Sequence, residues 1–431
     1  MKLKLLSLTC LFFINSNIIN AQNTNTGTDA GNAGTNNSAF GYYAGNVVTG
    51  NNNSFMGYLS GQSTTTGEYN SFFGANTGIN NSTGKDNVFV GYKSGYTNFG
   101  GSRNVFIGRE SGFLNNSGNN NVFTGYESGY TNSSGEANVF SGYKAGYSNT
   151  SGRNNVFTGF EAGYSNENGT YNVFTGFRAG MNNKGSYNTF TGNQSGQNNL
   201  NGVNNTFYGN QTGLSNTDGS YNVFTGQKAG FANMTGSGNI FTGFHAGVQN
   251  TSGSLNTYIG YKAGYHSNGG NNIFIGHHAG YWETGNNRLY IDNNDDFDSS
   301  RIPLIYGKFD TDQLGINTNV IPTGYTMAVK GKFITEEVKV QTYANWPDFV
   351  FKKEYNLPSI NEVEQHIKEK GHLQNIPSAS EVFENGILLG EMNAKLLQKI
   401  EELTLYIIQQ EKRFNDQEAR LKKLEAEIPC K

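Results

Sequence analysis

The sequence predicts a mainly β fold: a β-solenoid (β-roll) of fifteen 16–17-residue repeats, a short β neck, and C-terminal helices ending in a coiled coil. Three observations carry this. A motif Asn-x-Phe-x-Gly-x-x-small-Gly recurs throughout residues 36–285. Gly and Asn, 58 and 64 of 431 residues, supply more than a quarter of the chain, while charged residues make up only 15%. That is the composition of a turn-rich repetitive chain, and an aromatic fraction of 13% argues against disorder. Finally, a heptad pattern follows Gly386. The net charge of −3 leaves no basic stripe for nucleic acid, and six prolines without a Gly-X-Y period exclude collagen.

At the N-terminus, Lys2 and Lys4 precede an apolar run from Leu5 to Ile14 and a more polar stretch to Ala21. This is the pattern of a secretory signal peptide, residues 1–21, cut before Gln22. The run is well short of the ~20 residues that span a bilayer. No other stretch could span one, so the chain is expected to be exported with no membrane span. Cleavage removes Cys10 and leaves Cys430, for intermolecular pairing or as a free thiol, the latter favoured because nothing nearby would activate it. Residues 22–35 read as a linker.

The repeat occupies residues 36–285. Its first Gly falls at 41, 57, 74, 91 and onward to 276, with eleven intervals of 17 residues and three of 16. Four residues before each stands an Asn, from Asn37 to Asn272, and four after stands a second Gly preceded by Ala, Ser or Thr. Two residues before the first Gly, fourteen of fifteen copies carry an aromatic; Ala39 is the exception. Asn87, Phe89, Gly91 and Gly95 define one copy, and Asn121, Phe123, Gly125 and Gly129 another.

Each copy reads as a short strand, a tight turn, a second short segment and a polar loop. Glycine every four or five residues rules out a helix, and fixed glycines suit turns with φ > 0 or close backbone approach. So short a unit cannot bury its own aromatic, so copies must stack as coils. Stacking sets the Phe residues in a column and the Asn amides in a ladder. At the ~4.8 Å strand spacing, fifteen coils make a rod of roughly 70 Å. In Asn87-Val88-Phe89-Val90-Gly91-Tyr92 both strand faces are partly apolar, so the second needs a cover, which association of identical rods supplies.

Residues 286–345 read as a β-rich neck, with short alternating runs at Arg288–Asp292, Pro303–Gly307 and Tyr325–Gly331. Asp292–Asp298 is acidic, but it lacks the glycine and closing Glu of a calcium loop, which favours a solvated turn. Residues 346–386 turn charged and helical. Ser359 with Glu362 forms a capping box for a helix ending at Gly371, and Pro377-Ser378 opens a second short segment.

Residues 387–428 form the coiled coil, followed by the tail 429–431. Core position d holds Leu389, Leu396, Leu403, Gln410, Gln417 and Leu424. Position a holds Asn393, Ile400, Ile407, Phe414, Leu421 and Ile428. Ile at a with Leu at d leans towards two strands, whereas Phe414 and the two glutamines leave the order open.

The Asn-x-Phe-x-Gly-x-x-small-Gly repeat resembles the head repeats of trimeric autotransporter adhesins and of phage tail-fibre-like surface proteins. That resemblance implies trimeric left-handed β-rolls, hence a homotrimer. Those family repeats are shorter, and a triple β-spiral is the alternative architecture. The stretch from Trp346-Pro-Asp-Phe-Val-Phe to Tyr406 resembles the intramolecular chaperone of endosialidases, of the S74-like class. Active members of that class self-cleave at a Ser in a Ser-Asp…Lys setting. Here Ser359, Ser378 and Ser380 have no following Asp, so self-cleavage is not expected. The chain also ends in helix where trimeric autotransporters end in a membrane barrel.

The functional expectation is an exported fibrous surface protein with a structural and adhesive role, not an enzyme. Its partners would be its own copies, a surface glycan or protein, and an anchoring partner. Neither cofactor nor metal is expected: the six His residues, His277-His278 and His366 and His372 among them, form no ligand motif. The alternatives are an injection-system or phage tail-fibre-like receptor-binding protein and a self-processing fibre. The rings after the first Gly (Tyr92, Tyr126, Tyr143, Phe160, Phe177 and Tyr261) either cover an inter-chain seam, the favoured reading, or face outward as a contact stripe.

Overall fold

The computed structural model describes residues 23–31, 33–293, 300–341 and 346–427. Residues 1–21, expected to be a signal peptide and holding Cys10, lie outside them, as do Ile428, the tail with Cys430, and residues 294–298 of the acidic run. The chain divides into two compact units, meeting in sequence at Lys332 and Phe333.

The first unit is a β-solenoid. Strands β1 (Asn23–Thr26) and β2 (Asn37–Phe40) open it, and β3 (Ser54–Met56) to β16 (Ile273–Ile275) add one three-residue strand per coil. β17 (Arg288–Ile291) ends the parallel ladder. Register is in step with the motif, so Phe89 pairs with Phe106 and Phe106 with Phe123. A three-residue strand places one side chain inward and two outward, and the burial follows: Phe89 is fully buried while Val88 and Val90 are exposed. The buried rings stack face to face at 4.7–4.9 Å from Phe72 to Phe274. Each buried Phe contributes about 1.5–3 kcal/mol, and each stacked pair about 0.5–1.5 more.

Two ladders of asparagine flank the rings. In the first, Asn70 Oδ1 accepts from both the backbone N–H and the side-chain Nδ2 of Asn87, each at 3.1 Å. Asn87 Nδ2 also donates to the Gly101 carbonyl at 2.9 Å, tying the start of its coil to its end. The second ladder runs from Asn81 to Asn250. Within it, Asn98 Nδ2 donates to Asn81 Oδ1 at 2.7 Å and to the Gly101 carbonyl at 2.8 Å. Where the small residue before the second glycine is Ser, its hydroxyl donates to the next coil, as Ser94 does to the Phe106 carbonyl at 3.0 Å. These bonds offset most of the desolvation cost of burying a polar layer beside the rings.

Two glycines per coil are enforced by space as well as by φ. A Cβ on Gly95 (φ +59°) would fall 2.4 Å from the Phe89 ring, and one on Gly91 would fall 2.6 Å from the carbonyl oxygen of Gly108. The ring and the neighbouring coil therefore occupy the room a side chain would need.

The segment 22–35, expected as a linker, instead holds an additional coil. Asn23 pairs with Asn37 and Thr26 with Phe40, while Gly27, Ala30 and Gly31 take the motif positions. Asn25 stands where the ring would be, and only 14 residues separate Gly27 from Gly41, so the period alone does not reveal it.

At the other end Tyr290 pairs with Phe274 but turns its ring to 87°, and Tyr306 meets it at 89°. The edge-to-face pair ends the stack. β18 (Ile305–Lys308) and β19 (Gln313–Ile316) then pair antiparallel, and β20 (Met327–Val329) pairs with β19 in parallel. Of these strands, β19 falls outside the three runs expected in the neck.

The second unit is helical. α1 (Ile360–Lys370) is capped by the Ser359–Glu362 box and ended by Gly371 at φ 75°. α2 (Ala379–Asn385) carries a second capping box, Ser378 with Glu381. α3 (Leu389–Glu427) is a 39-residue helix. Glu402, the one buried residue of α3, accepts from Tyr355 Oη at 2.5 Å, Gln398 Nε2 at 2.9 Å and Lys399 Nζ at 2.9 Å. Burial opposes its charge, but those three donors outweigh it and hold the carboxyl below its ordinary value.

Candidate binding surfaces

The solenoid presents two regular surfaces. The first is the outer face of the sheet. From Val88 to Ile273 the first outward position of twelve successive coils is always Val, Ile or Thr. From Val90 to Ile275 the second is β-branched in all but Ser141 and Tyr208. Val122, Val139, Val156 and Val173 are each 38–40% exposed. These two columns form a strip of twenty-four side chains, thirteen of them Val or Ile and ten Thr or Ser, and a stable interface uses about 20–30 residues a side.

The second surface is built by the turns. Rings after the first Gly form an outer column, with Tyr126–Tyr143 at 5.3 Å, Tyr143–Phe160 at 4.8 Å and Phe160–Phe177 at 5.2 Å. Rings after the second Gly form another, from Tyr96 through Phe113, Tyr130 and Tyr147 to Tyr164, at 4.9–5.1 Å. Tyr92, Tyr143, Phe160, Phe177 and Tyr261 are exposed in this single chain.

Between the columns runs a ladder of polar side chains on left-handed residues, Lys93, Glu110, Glu127, Lys144, Glu161 and Arg178 among them. Glu127 pairs with Lys144 at 3.4 Å and Glu161 with Arg178 at 2.8 Å, each from one coil to the next. Lys144 Nζ also sits 5.4 Å from the Tyr143 ring and 5.3 Å from the Tyr147 ring. Burial pushes the phenols of Tyr130 and Tyr147 up, and the nearby carboxylate of Glu127 adds to it.

The first Asn ladder follows from the invariant Asn of the repeat, whereas the second, outside that motif, is marked in sequence by a plain Asn-x-x-Gly at the period of the repeat. The charged ladder has no such mark, because identity at that position varies while its geometry does not. Asn87, Phe89, Gly91 and Gly95 meet in one coil, as do Asn121, Phe123, Gly125 and Gly129, and all eight are structural.

On α3, Leu389, Leu396, Ile400, Leu403, Ile407, Phe414, Leu421 and Leu424 share the heptad face and are 46–62% exposed. Leu396, Ile400 and Leu403 line an open apolar cleft of about 430 Å³ with Pro358, Ile360 and Val363. Ser359 and Ser378 are held in their capping boxes by Glu362 and Glu381. Among the described residues no helix is long and apolar enough to cross a membrane. No group of three or more His, Cys, Asp or Glu side chains among them could hold a metal. Asp292, the acidic residue of that run among the described residues, pairs with Arg301 at 3.6 Å. No family model matches the chain, and no curated protein or solved structure matches it either.

Proposed function

We propose that this chain is an exported fibrous surface protein with a structural and adhesive role. It works as a homotrimer in which sheet faces meet and turn faces are displayed. The observation that carries the reading is the β-branched strip from Val88 to Ile275, which no described part of the solenoid covers. Its Val and Ile side chains are the exposed apolar surface that marks an interaction site, and a strip repeating at the coil spacing is complementary to a second copy of itself. The heptad face of α3 has the same need: Ile400, Ile407 and Phe414 are each more than half exposed. A coiled coil between copies covers it and sets the solenoids in register.

The resemblance to adhesin head repeats and to endosialidase chaperones supports a trimer and an extracellular location. Engagement of Ser359 and Ser378 in caps supports a base that stays attached rather than one that cleaves itself.

Light scattering after size exclusion on residues 22–431 tests this, alongside Val139→Lys/Val156→Lys. Both positions point outward from the strands, so a lysine there leaves the coil itself intact. The expected result is three chain masses, falling to one or to a weak equilibrium in the variant. A stable monomer for the unaltered chain contradicts the reading.

A further inference from the structure

We infer that a notch in the outer ring column of the turn face, between Phe177 and Phe244, binds a linear, uncharged, β-linked hexose chain laid along the solenoid axis. The inference deepens the adhesive reading and rests on it for the chain's place outside the cell.

The notch breaks two periodic series at once. Rings follow the first Gly in four successive coils, from Tyr126 to Phe177, and return at Phe244 and Tyr261. The three coils between carry Asn193, Asn210 and Gln227 there, all exposed and, at the two asparagines, far shorter than a ring. At the left-handed position beside them, Gln194 and Gln211 stand where other coils hold Glu161, Arg178 and Lys228. Residues 185–217 contain no Asp, Glu, Lys, Arg or His, whereas the coils before them carry the pairs Arg178–Glu161 and Lys184–Glu167. The recess is therefore lined with amides and uncharged along two coils.

Aromatic rings close it at both ends. Phe177 stacks on Phe160 at 5.2 Å, and the coil on its other side offers only Asn193, so that face of the ring borders the recess. Arg178, whose guanidinium lies 5.0 Å from the same ring, is drawn to Glu161 of the preceding coil at 2.8 Å. At the far end Phe244 stacks on Tyr261 at 5.2 Å and on the His245 imidazole at 3.9 Å. The core rings step at 4.7–4.9 Å from Phe174 to Phe241, so Phe177 and Phe244, three residues further on, stand about 19 Å apart.

These groups match an uncharged sugar chain. Ring faces carry the negative end of the quadrupole and attract the polarised C–H hydrogens of a pyranose face. Each amide offers an acceptor and a pair of donors in one plane, suited to hydroxyls. Gln211 Nε2 donates to Gln194 Oε1 at 2.9 Å, which aligns two of these amides along the axis. Gln197 Oε1, in the same coil as Asn193, is buried with no hydrogen-bond partner among the described residues, so turning it to a ligand hydroxyl gains a bond. A β-linked pyranose advances an extended chain by close to one coil, which puts one sugar over each of Asn193, Asn210 and Gln227. The uncharged floor gives a uronate or a nucleic acid no ion pair. Nor does it suit an added peptide strand, because the turn backbone is already paired between coils. Gln194 N–H donates to the Phe177 carbonyl and Gln211 N–H to the Asn193 carbonyl, both at 2.8 Å.

The test is titration of residues 22–431 with cellohexaose and β-linked mannohexaose, with maltohexaose, hexagalacturonate and single-stranded DNA as comparison ligands. Variants are Asn193→Ala/Asn210→Ala, which removes the amides, and Asn210→Tyr, which restores the ring found at Tyr126 and Tyr143 and so fills the recess. Glu127→Gln/Lys144→Gln is the control on the turn face outside it. Expected are binding of at least one β-linked hexamer that salt leaves unchanged, and little change in the control. Both notch variants should lose affinity by roughly tenfold or more with the melting temperature kept. Binding of neither β-linked hexamer, unchanged binding in Asn210→Tyr, equal loss in the control, or maltohexaose, hexagalacturonate or DNA bound as tightly overturns the site. Light scattering on the same samples separates the two readings. A trimer that ignores both β-linked hexamers sinks the notch alone, and a monomer that binds through Asn193 and Asn210 sinks the fibre alone.

Discussion

The hydroxyl of Tyr258 lies 2.8 Å from Ser267 Oγ inside the solenoid, and the two residues are matched departures from the repeat. Tyr258 replaces the Phe of the ring column, and Ser267 replaces the Asn of the second ladder. The added phenol oxygen takes the room given up by the shorter side chain. Burial drives the Tyr258 phenol up to about 12, so the hydroxyl stays protonated at all ordinary pH. A double-mutant cycle tests the match. Ser267→Asn alone crowds the hydroxyl and should cost about 1–3 kcal/mol. Tyr258→Phe alone should cost about 0.5–1.5 kcal/mol. The double variant, which restores the common coil, should recover most of the sum, as read from chemical denaturation. Additive losses contradict the pairing.

The ring column should be the main source of stability in the solenoid. Phe157→Ala in its middle leaves a cavity between two stacked neighbours, and about 3–5 kcal/mol should be lost. Gly163→Ala should be similarly severe although it adds only a methyl. Its φ is +60° and the new Cβ falls 2.5 Å from the Phe157 ring. Hydrogen exchange should show the loss concentrated in neighbouring coils, because each coil contacts only its neighbours. A uniform loss along the solenoid contradicts that picture.

Asn149→Asp probes the second ladder through pH. Asn149 Nδ2 donates to Asn132 Oδ1 at 2.7 Å, so a carboxylate there sets acceptor against acceptor in a buried layer. Burial and this repulsion raise the folded pKa of the new carboxyl above the unfolded ~3.9. A raised folded pKa means stability is fully present below about pH 4 and lost as the pH climbs through the folded value. Melting temperatures of the variant, relative to the unaltered chain, should therefore fall from pH 4 to pH 7. A gap that does not change with pH contradicts the account.

The histidine-rich end should respond in the opposite sense. Burial holds His245 and His266 below the ordinary 6.5, and Lys228 and Lys262 push His245 further down. A lowered folded pKa means their contribution is intact above about pH 6.5 and is lost as the pH falls from there through the folded values. Melting of residues 22–431 should drop on acidification below that point, with His245→Gln/His266→Gln flattening the slope. An unchanged slope in the double variant contradicts this.

Much of the solenoid is legible in the sequence because each coil must repeat the same solution. The positions of Phe89, Asn87, Gly91 and Gly95 recur wherever a ring, an amide and two close backbone approaches recur. The first coil escapes because Asn25 holds the ring position and its loop is shortened. The polar ladder of the turn surface escapes for another reason. Lys93, Glu127 and His245 share a backbone conformation, not a chemistry, so identity does not reveal the ladder. The capping boxes of α1 and α2 are local and can be read directly, whereas the partnership of Tyr355 with Glu402 spans 47 residues and leaves no local trace.

The central claim, that copies meet sheet face to sheet face in register, is tested most directly by a distance. A spin label at Val156→Cys, in residues 22–431 with Cys430→Ser, lies on the outward strip, and one at Ser134→Cys lies on a loop. Pulsed dipolar spectroscopy should give one short, narrow inter-chain distance for the strip and a longer, broader one for the loop. An absent dipolar signal at position 156, or a shorter distance at position 134, would contradict the sheet-face assembly.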